Sequence, residues 1–275
     1  MRYGFVLPRG DAATAAELAT VAERAGWDGF FVWEPVWGVD AWISLAAAAM
    51  RTSRIRLGTL LTPLPRRRPW DLAGQVATLD NLSGGRVVLS VGLGATHEGW
   101  LAFEPDRGRK VRAELLDEGL AILDGLWRGQ PFTYDGLHHS VRPTDFVVPP
   151  PPVQRPRVPI WVVGGWPAPR SMRRAAAWDG WLPNVVAPLS GPLTPELLAE
   201  GATWIRHERT RQGLDPAGYD VVTEGCTPLD PAAGREIVAP WAAAGATWWI
   251  EADWAVPAGE VRAYAHARLA AGPPR

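Results

Sequence analysis

The stretch PWDLAGQVATLDNLSGGRVVLSVGLG, residues 69–94, decides the fold. Residues 69–82 read as a helix opened by Pro69 and stopped by Gly84-Gly85. Arg86–Val91 (RVVLSV) then reads as a short, nearly all-apolar strand. A strand with so little polar alternation is one covered on both faces, as in a parallel sheet flanked by helices.

The same unit recurs in both directions. Upstream, strands read over Arg2–Leu7, Gly29–Trp33 (GFFVW) and Ile55–Leu61 (IRLGTLL). A helix over 11–25 separates the first two. Thr14 and Glu17 stand at capping-box spacing, Leu18, Val21, Ala22 and Ala25 follow the 3.6 period, and Gly26 ends the helix. Asp40 caps the next helix, which runs through Met50. Downstream, a helix from about Arg109 to Trp127 places Leu116, Leu120, Leu123 and Trp127 on one face. Residues 128–158 then break the rhythm with Pro and Gly. They read as an irregular excursion with a small hairpin and a proline spacer, in the place of a covering lid. Strands resume at Pro159–Val163, near Trp181-Leu182, at Tyr219–Thr223 and at Thr247–Ile250, with helices over 168–178, 195–212, 230–244 and 259–270.

Eight such units in roughly 250 residues predict a single-domain (β/α)8 TIM barrel over 1–275. A doubly wound open sheet would want a Gly-rich fingerprint after the first strand, and Pro8-Arg9-Gly10-Asp11 supplies none.

Composition narrows the chemistry. A net charge of −1 argues against nucleic acid as the main partner. The lone Cys226 excludes a disulfide framework and a multi-cysteine metal site. No apolar run approaches membrane-spanning length, so a soluble, cytoplasmic protein is expected. The sole lysine, Lys110, lies in a charged run, which removes Schiff-base enzymes. The arginine bias looks like that of a GC-rich genome. His138-His139 are loop neighbours whose side chains diverge, and His97-Glu98 lacks a third ligand, so no metal site is expected. Neither Ser83 nor Ser90 has a nucleophile-elbow setting.

A barrel of this kind works at the C-terminal ends of its strands. Those ends carry Glu34, Pro35 and Trp37; Thr59, Leu60 and Thr62; Gly92, Leu93, Gly94, His97 and Glu98; Gly164, Gly165 and Trp166; and Asn184, Glu224, Glu251 and Asp253. Gly164-Gly165 precede a helix with Arg170 and Ser171 in its first turns, the setting of either a tight turn or an anion site. Gly92-Leu93-Gly94 either clear room for a flat ligand or turn the chain. Several of the sixteen tryptophans fall near strand ends, where an aromatic mouth would suit a flat cofactor and an apolar substrate. Arg66-Arg67-Arg68 form a solvated face or meet an acidic group.

With these residues in view, the chain resembles the bacterial luciferase-like flavin-dependent oxidoreductases, or luciferase-like monooxygenases. The resemblance runs through AERAGWDGFFVWE (22–34), TSRIRLGTLLTP (52–63), residues 68–94, RAELLDEGLAILDGLW (112–127), PIWVVGG (159–165) and AAAWDGWLP (175–183). Its most specific run is Leu82-Ser83-Gly84-Gly85-Arg86.

The resemblance implies a barrel binding FMN or the deazaflavin coenzyme F420. It places a non-proline cis peptide at Thr59-Leu60 with Thr62 beside it, the ring along Gly92, Leu93 and Gly94, and the phosphate at Gly164-Gly165 next to Trp166. Many members carry Asp-His after strand two, where this chain has Glu34-Pro35. Glu34 or His97 is therefore expected to take over proton transfer, unless Glu34 is a structural carboxylate bonded to an arginine. The implied activity is oxidoreduction of a small organic substrate. Reduced FMN would make it a monooxygenase, and the deazaflavin a hydride-transfer enzyme. A separate reductase and a homodimer are expected partners by resemblance. A non-catalytic flavin-binding protein and a flavin-free barrel holding another phosphorylated ligand are the alternatives.

Overall fold

The computed structural model describes residues 1–96, 99–144 and 150–275. Eight strands form the barrel: β1 (Arg2–Leu7), β2 (Gly29–Val32), β3 (Arg56–Thr59), β4 (Val87–Gly92), β5 (Ile160–Trp166), β6 (Gly180–Val185), β7 (Asp220–Gly225) and β8 (Trp248–Glu251). Each pairs in parallel with the next, and β8 returns to β1 through Trp248↔Arg2 to close the ring. The helices are α1 (Ala12–Arg24), α2 (Ala41–Ala49), α3 (Pro69–Ser83), α4 (Arg109–Arg128), α5 (Pro169–Ala176), α6 (Pro195–Arg211), α7 (Pro231–Ala243) and α8 (Val261–Ala270). This is the predicted (β/α)8 barrel. Among the described residues, no helix is long and apolar enough to cross a membrane.

Side chains alternate between the barrel interior and the helix layer. Inside, Phe31, Trp161 and Trp248 pack as a cluster, with ring centroids 5.4, 6.1 and 5.2 Å apart. Small neighbours make the room: a Cβ on Gly180 would lie 2.3 Å from the Trp161 ring. The cluster is sealed at the N-terminal end of the barrel. Trp161 Nε1 donates to Asp220 Oδ2 at 3.1 Å, and Arg2 pairs with Asp220 while lying 4.7 Å over the Trp248 ring. The filled lower half leaves the C-terminal mouth as the place for a ligand.

Local signals held with one adjustment. Asp40 caps α2 as predicted, accepting from Trp42 N and Ile43 N. The first helix is capped by Asp11, whose side chain accepts from Thr14 N, so the Thr14–Glu17 pair lies inside the helix instead of opening it. The predicted hairpin forms from Tyr134–Asp135 and Ser140–Val141. Glu118 of α4 accepts from the backbone N–H groups of Leu137, His138 and His139, which fastens the hairpin to the flank of the barrel. The returning chain is clipped by Gln154, which donates to Asp80 and to the Val87 carbonyl. Among the described residues of 128–158, none lines the mouth, and residues 145–149 of the expected lid lie outside the described residues.

Candidate active site

A cavity of about 790 Å³ opens at the C-terminal ends of the strands. Its inner wall is apolar, built from Leu60, Leu61, Gly92, Val163, Leu182 and Ile250. The peptide bond between Leu60 and Leu61 is cis. The non-proline cis bond implied by resemblance is thus present, but one residue later than Thr59-Leu60. Both leucines line the cavity, while Thr59 and Thr62 are fully buried behind them.

Those two threonines tie the wall to Glu34. Thr59 Oγ1 and Thr62 Oγ1 lie 2.9 Å apart, and the Thr62 hydroxyl donates to Glu34 Oε2 at 2.5 Å. Trp42 Nε1 donates to the same oxygen at 3.2 Å, and Arg67 donates to Oε1 at 2.7 Å. Burial pushes the Glu34 carboxyl above the ordinary glutamate range, and the Arg67 guanidinium opposes that shift. Glu34 is thus bonded to an arginine and also borders the cavity. Its partner comes from the Arg66-Arg67-Arg68 run. His97, the other residue expected to handle a proton, lies outside the described residues.

The opposite character appears where α4 and α5 begin. Arg66, Arg109, Arg112 and Arg174 line this end of the cavity with Ser171 and Gly165. Arg66 and Arg112 lie 4.5 and 5.8 Å from the Trp100 ring on the cavity wall. Gly94 makes that position available to the indole, since a Cβ there would lie 2.0 Å from Trp100. Arg66 pairs with Glu104, Arg112 with Asp106 and Arg174 with Asp117. Arg112 Nε is nonetheless buried with no partner among the described residues. The N-terminus of the 20-residue α4, at Gly108, has no side-chain cap. Cationic side chains, a donor without a partner among the described residues and a helix N-terminus meet at this end, the elements of which anion sites are built, although three of the arginines also hold acidic partners.

The diglycine corner contributes less than its sequence suggests. Gly165 borders the cavity, but its N–H already donates to Ser171 Oγ at 2.9 Å, which leaves the Ser171 hydroxyl hydrogen free to turn to a ligand. Gly164 faces the helix layer, where its carbonyl accepts from Trp181 Nε1 and a Cβ would crowd that ring at 2.6 Å. Trp166 ends β5 outside the lining, followed by a cis bond to Pro167. Gly92, Leu93 and Gly94 all border the cavity, as expected. Trp100, one of the tryptophans expected near strand ends, lines the cavity. Sequence reading missed Arg109, Arg112 and Arg174; the one available signal was the density of arginine along the start of α4 and along α5.

On the far side, Asn184 tops β6 and Glu224 tops β7, among Leu193, Val222, Trp241 and Trp254. Apolar surroundings push the Glu224 carboxyl up, opposed by a hydrogen bond with Trp254. Among the described residues, no group of three or more His, Cys, Asp or Glu could hold a metal ion.

A parallel eightfold barrel with an apolar cavity and a cationic end at its strand tips has the form in which barrels of this kind hold small molecules. The family follows: the family model for luciferase-like monooxygenases matches residues 4–269, and the chain belongs to that family. A Mycobacterium tuberculosis protein provisionally named a coenzyme F420-dependent oxidoreductase is 33% identical over 210 residues, 73% of this chain and 59% of that one. An F420-dependent glucose-6-phosphate dehydrogenase of Beutenbergia cavernae is 34% identical over 172 residues, 59% of this chain and 49% of that one. The match thus spans between half and three-fifths of these two relatives. Among solved structures, monooxygenase RslO1 of Streptomyces bottropensis superposes with a TM-score of 0.79 at 21% identity, covering 98% of both chains. The coenzyme F420-dependent tetrahydromethanopterin reductase of Methanopyrus kandleri gives 0.77 at 17% identity, over 98% of this chain and 96% of that one.

Proposed function

We propose that this chain is an oxidoreductase that binds FMN or coenzyme F420 non-covalently and acts on a small organic substrate. The observation that carries the reading is the pairing, in one cavity, of an apolar wall around Leu60-Leu61 with a cationic end at Arg109, Arg112, Ser171 and Arg174. That arrangement suits a flat ring system with a phosphate-bearing tail. The names of these two relatives point to coenzyme F420. When bound, such a cofactor supplies the redox chemistry, and the protein supplies placement and electrostatics.

The residues divide that labour. Leu60 and Leu61 give the ring a surface whose position is fixed from behind by Thr59, Thr62 and Glu34. Arg112, whose Nε has no partner among the described residues, and the Ser171 hydroxyl hold the tail. Val163, Leu182, Val222 and Ile250 keep the inner cavity poor in water, which strengthens each polar contact made there.

Fluorescence titration of the purified chain with FMN and with F420 tests the reading and decides between them. Saturable binding of one is expected. Arg112→Met is expected to weaken it about tenfold, the equivalent of about 1.4 kcal/mol for a lost charge-assisted contact. Binding of neither cofactor would refute the function.

A further inference from the structure

The inner face of the barrel can be followed strand by strand to its top. On β7, Val222 points inward, so Glu224, two residues on, points the same way at the mouth. On β6, Leu182 and then Asn184 do likewise. The β6–β7 register pairs Gly180 with Asp220 and Trp181 with Val221, and counting upward brings Asn184 level with Glu224. The inward residues topping β4, β5 and β8 are Gly92, Gly165 and Ala252, which offer no polar side chain. Among the described residues, the inward-facing tops of β4–β8 therefore carry one amide and one carboxyl, on neighbouring strands, in a part of the cavity also lined by Val222, Thr223, Ile250, Trp241 and Trp254.

We propose that Asn184 and Glu224 form the recognition pair at the substrate end of the cavity, with Glu224 exchanging a proton with the oxygen of an alcohol or ketone on an otherwise apolar molecule. This rests on the redox reading above and adds the substrate class to it. The cationic groups of the cavity are committed elsewhere: Arg66, Arg112 and Arg174 to Glu104, Asp106 and Asp117, and Arg67 to Glu34. Arg109 lies at the start of α4. The other titratable groups near the top of β7 are Cys226, Glu251 and Asp253. None of these charges sets the titration of Glu224, which comes from its apolar surroundings and is opposed by Trp254. An acid held above its ordinary range can work in both directions. Ionised, it accepts the proton of a hydroxyl; protonated, it donates to a carbonyl oxygen. The Asn184 amide can hold that oxygen in either state.

Carbon NMR of the full chain labelled at the glutamate carboxyl tests this without turnover. Glu34→Gln and Glu224→Gln identify the two upward-shifted resonances. If the Gln variant at 224 fails to fold, Glu224→Asp makes the assignment instead, because it removes a glutamate signal and keeps a carboxyl. The Glu224 carboxyl should titrate above the surface glutamates. Cyclohexanol and cyclohexanone, added as probes, should move its resonance. Asn184→Ala should weaken the apparent affinity for both probes at least threefold, and Asn184→Asp should raise the Glu224 midpoint further by like-charge repulsion. A Glu224 that titrates with the surface glutamates, or that ignores both probes, overturns the proposal. So does cyclohexylamine binding at least tenfold tighter than cyclohexanol while lowering the Glu224 midpoint, since the carboxylate would then be a counter-ion. Parallel titration with FMN and F420 separates the two readings. Cofactor binding with a silent Glu224 defeats the pair alone, whereas a responsive Glu224 without cofactor binding supports the pair as a ligand site and defeats the redox reading.

Discussion

The β2 rim and the β7 rim of the cavity each present a glutamate, and burial pushes both carboxyls upward. Their surroundings differ. Glu34 receives hydrogen bonds from Thr62, Trp42 and Arg67, which engage both of its oxygens. Glu224 is opposed in that rise by Trp254 alone and, among the described residues, faces the cavity with no ion pair. A raised pKa alone does not distinguish a group that holds the scaffold from one free for chemistry. The count of donors already committed does: a carboxylate with both oxygens engaged by the protein has little left for a ligand, and one with a single partner has most of its capacity open.

The largest expected break in this comparison comes from Arg67→Met. It would leave the buried Glu34 carboxyl without its cation, and breaking such a pair costs about 3 kcal/mol. Urea denaturation at neutral pH should show that loss. At acidic pH, where Glu34 accepts a proton instead, the loss should shrink. A cost that does not change with pH would mean that Arg67 matters by packing alone. The β7 rim offers no counterpart, because Glu224 has no cationic partner to remove.

A smaller effect is expected at Thr62→Val. The hydroxyl links Glu34 to Thr59 behind the Leu60-Leu61 wall, and all three groups are buried. Removing it leaves an acceptor and a hydroxyl short of a partner, for about 1–2 kcal/mol. Cofactor affinity should fall as well, because the wall loses its brace. Unchanged affinity alongside lost stability would show that the wall holds its position by packing.

How much of this was readable in advance follows the range of the interactions involved. The barrel was legible because each βα unit carries its own local signals, such as the glycine stop at Gly84 and the apolar run of β4. The non-proline cis bond was implied by the resemblance at Thr59-Leu60 and lies one residue later. The Glu34–Arg67 pair was open as one of two settings, since partners 33 residues apart leave no local trace. The anion site was placed at the diglycine corner because helix N-termini and glycines are visible in sequence. That Ser171 would take the Gly165 N–H, and that Arg109 and Arg112 would face inward from a charged run, are consequences of how α4 and α5 seat against the barrel. The strand-end position of Glu224 was readable, but its isolation from cations depends on where every arginine of the mouth points.

The smallest expected effect lies at Glu224 and carries the sharpest contrast with Glu34. Glu224→Gln removes no ion pair, and the side chain meets cavity solvent, so stability at acidic pH should change by no more than about 0.5 kcal/mol. Its signature lies in the pH dependence. The unfolded chain holds this carboxyl in the ordinary glutamate range, and the folded chain holds it higher. Between those two values the folded state binds more protons than the unfolded one. Stability is therefore retained below the window and lost as pH rises through it. Glu34 contributes with the same sign, its raised carboxyl again set first by burial. Replacing Glu224 with Gln should flatten one part of that decline and leave the part due to Glu34, as read from denaturation midpoints taken at steps of pH. A decline identical to that of the parent chain would mean that solvent in the mouth already satisfies Glu224, and the contrast between the two rims would reduce to the arginine beside Glu34.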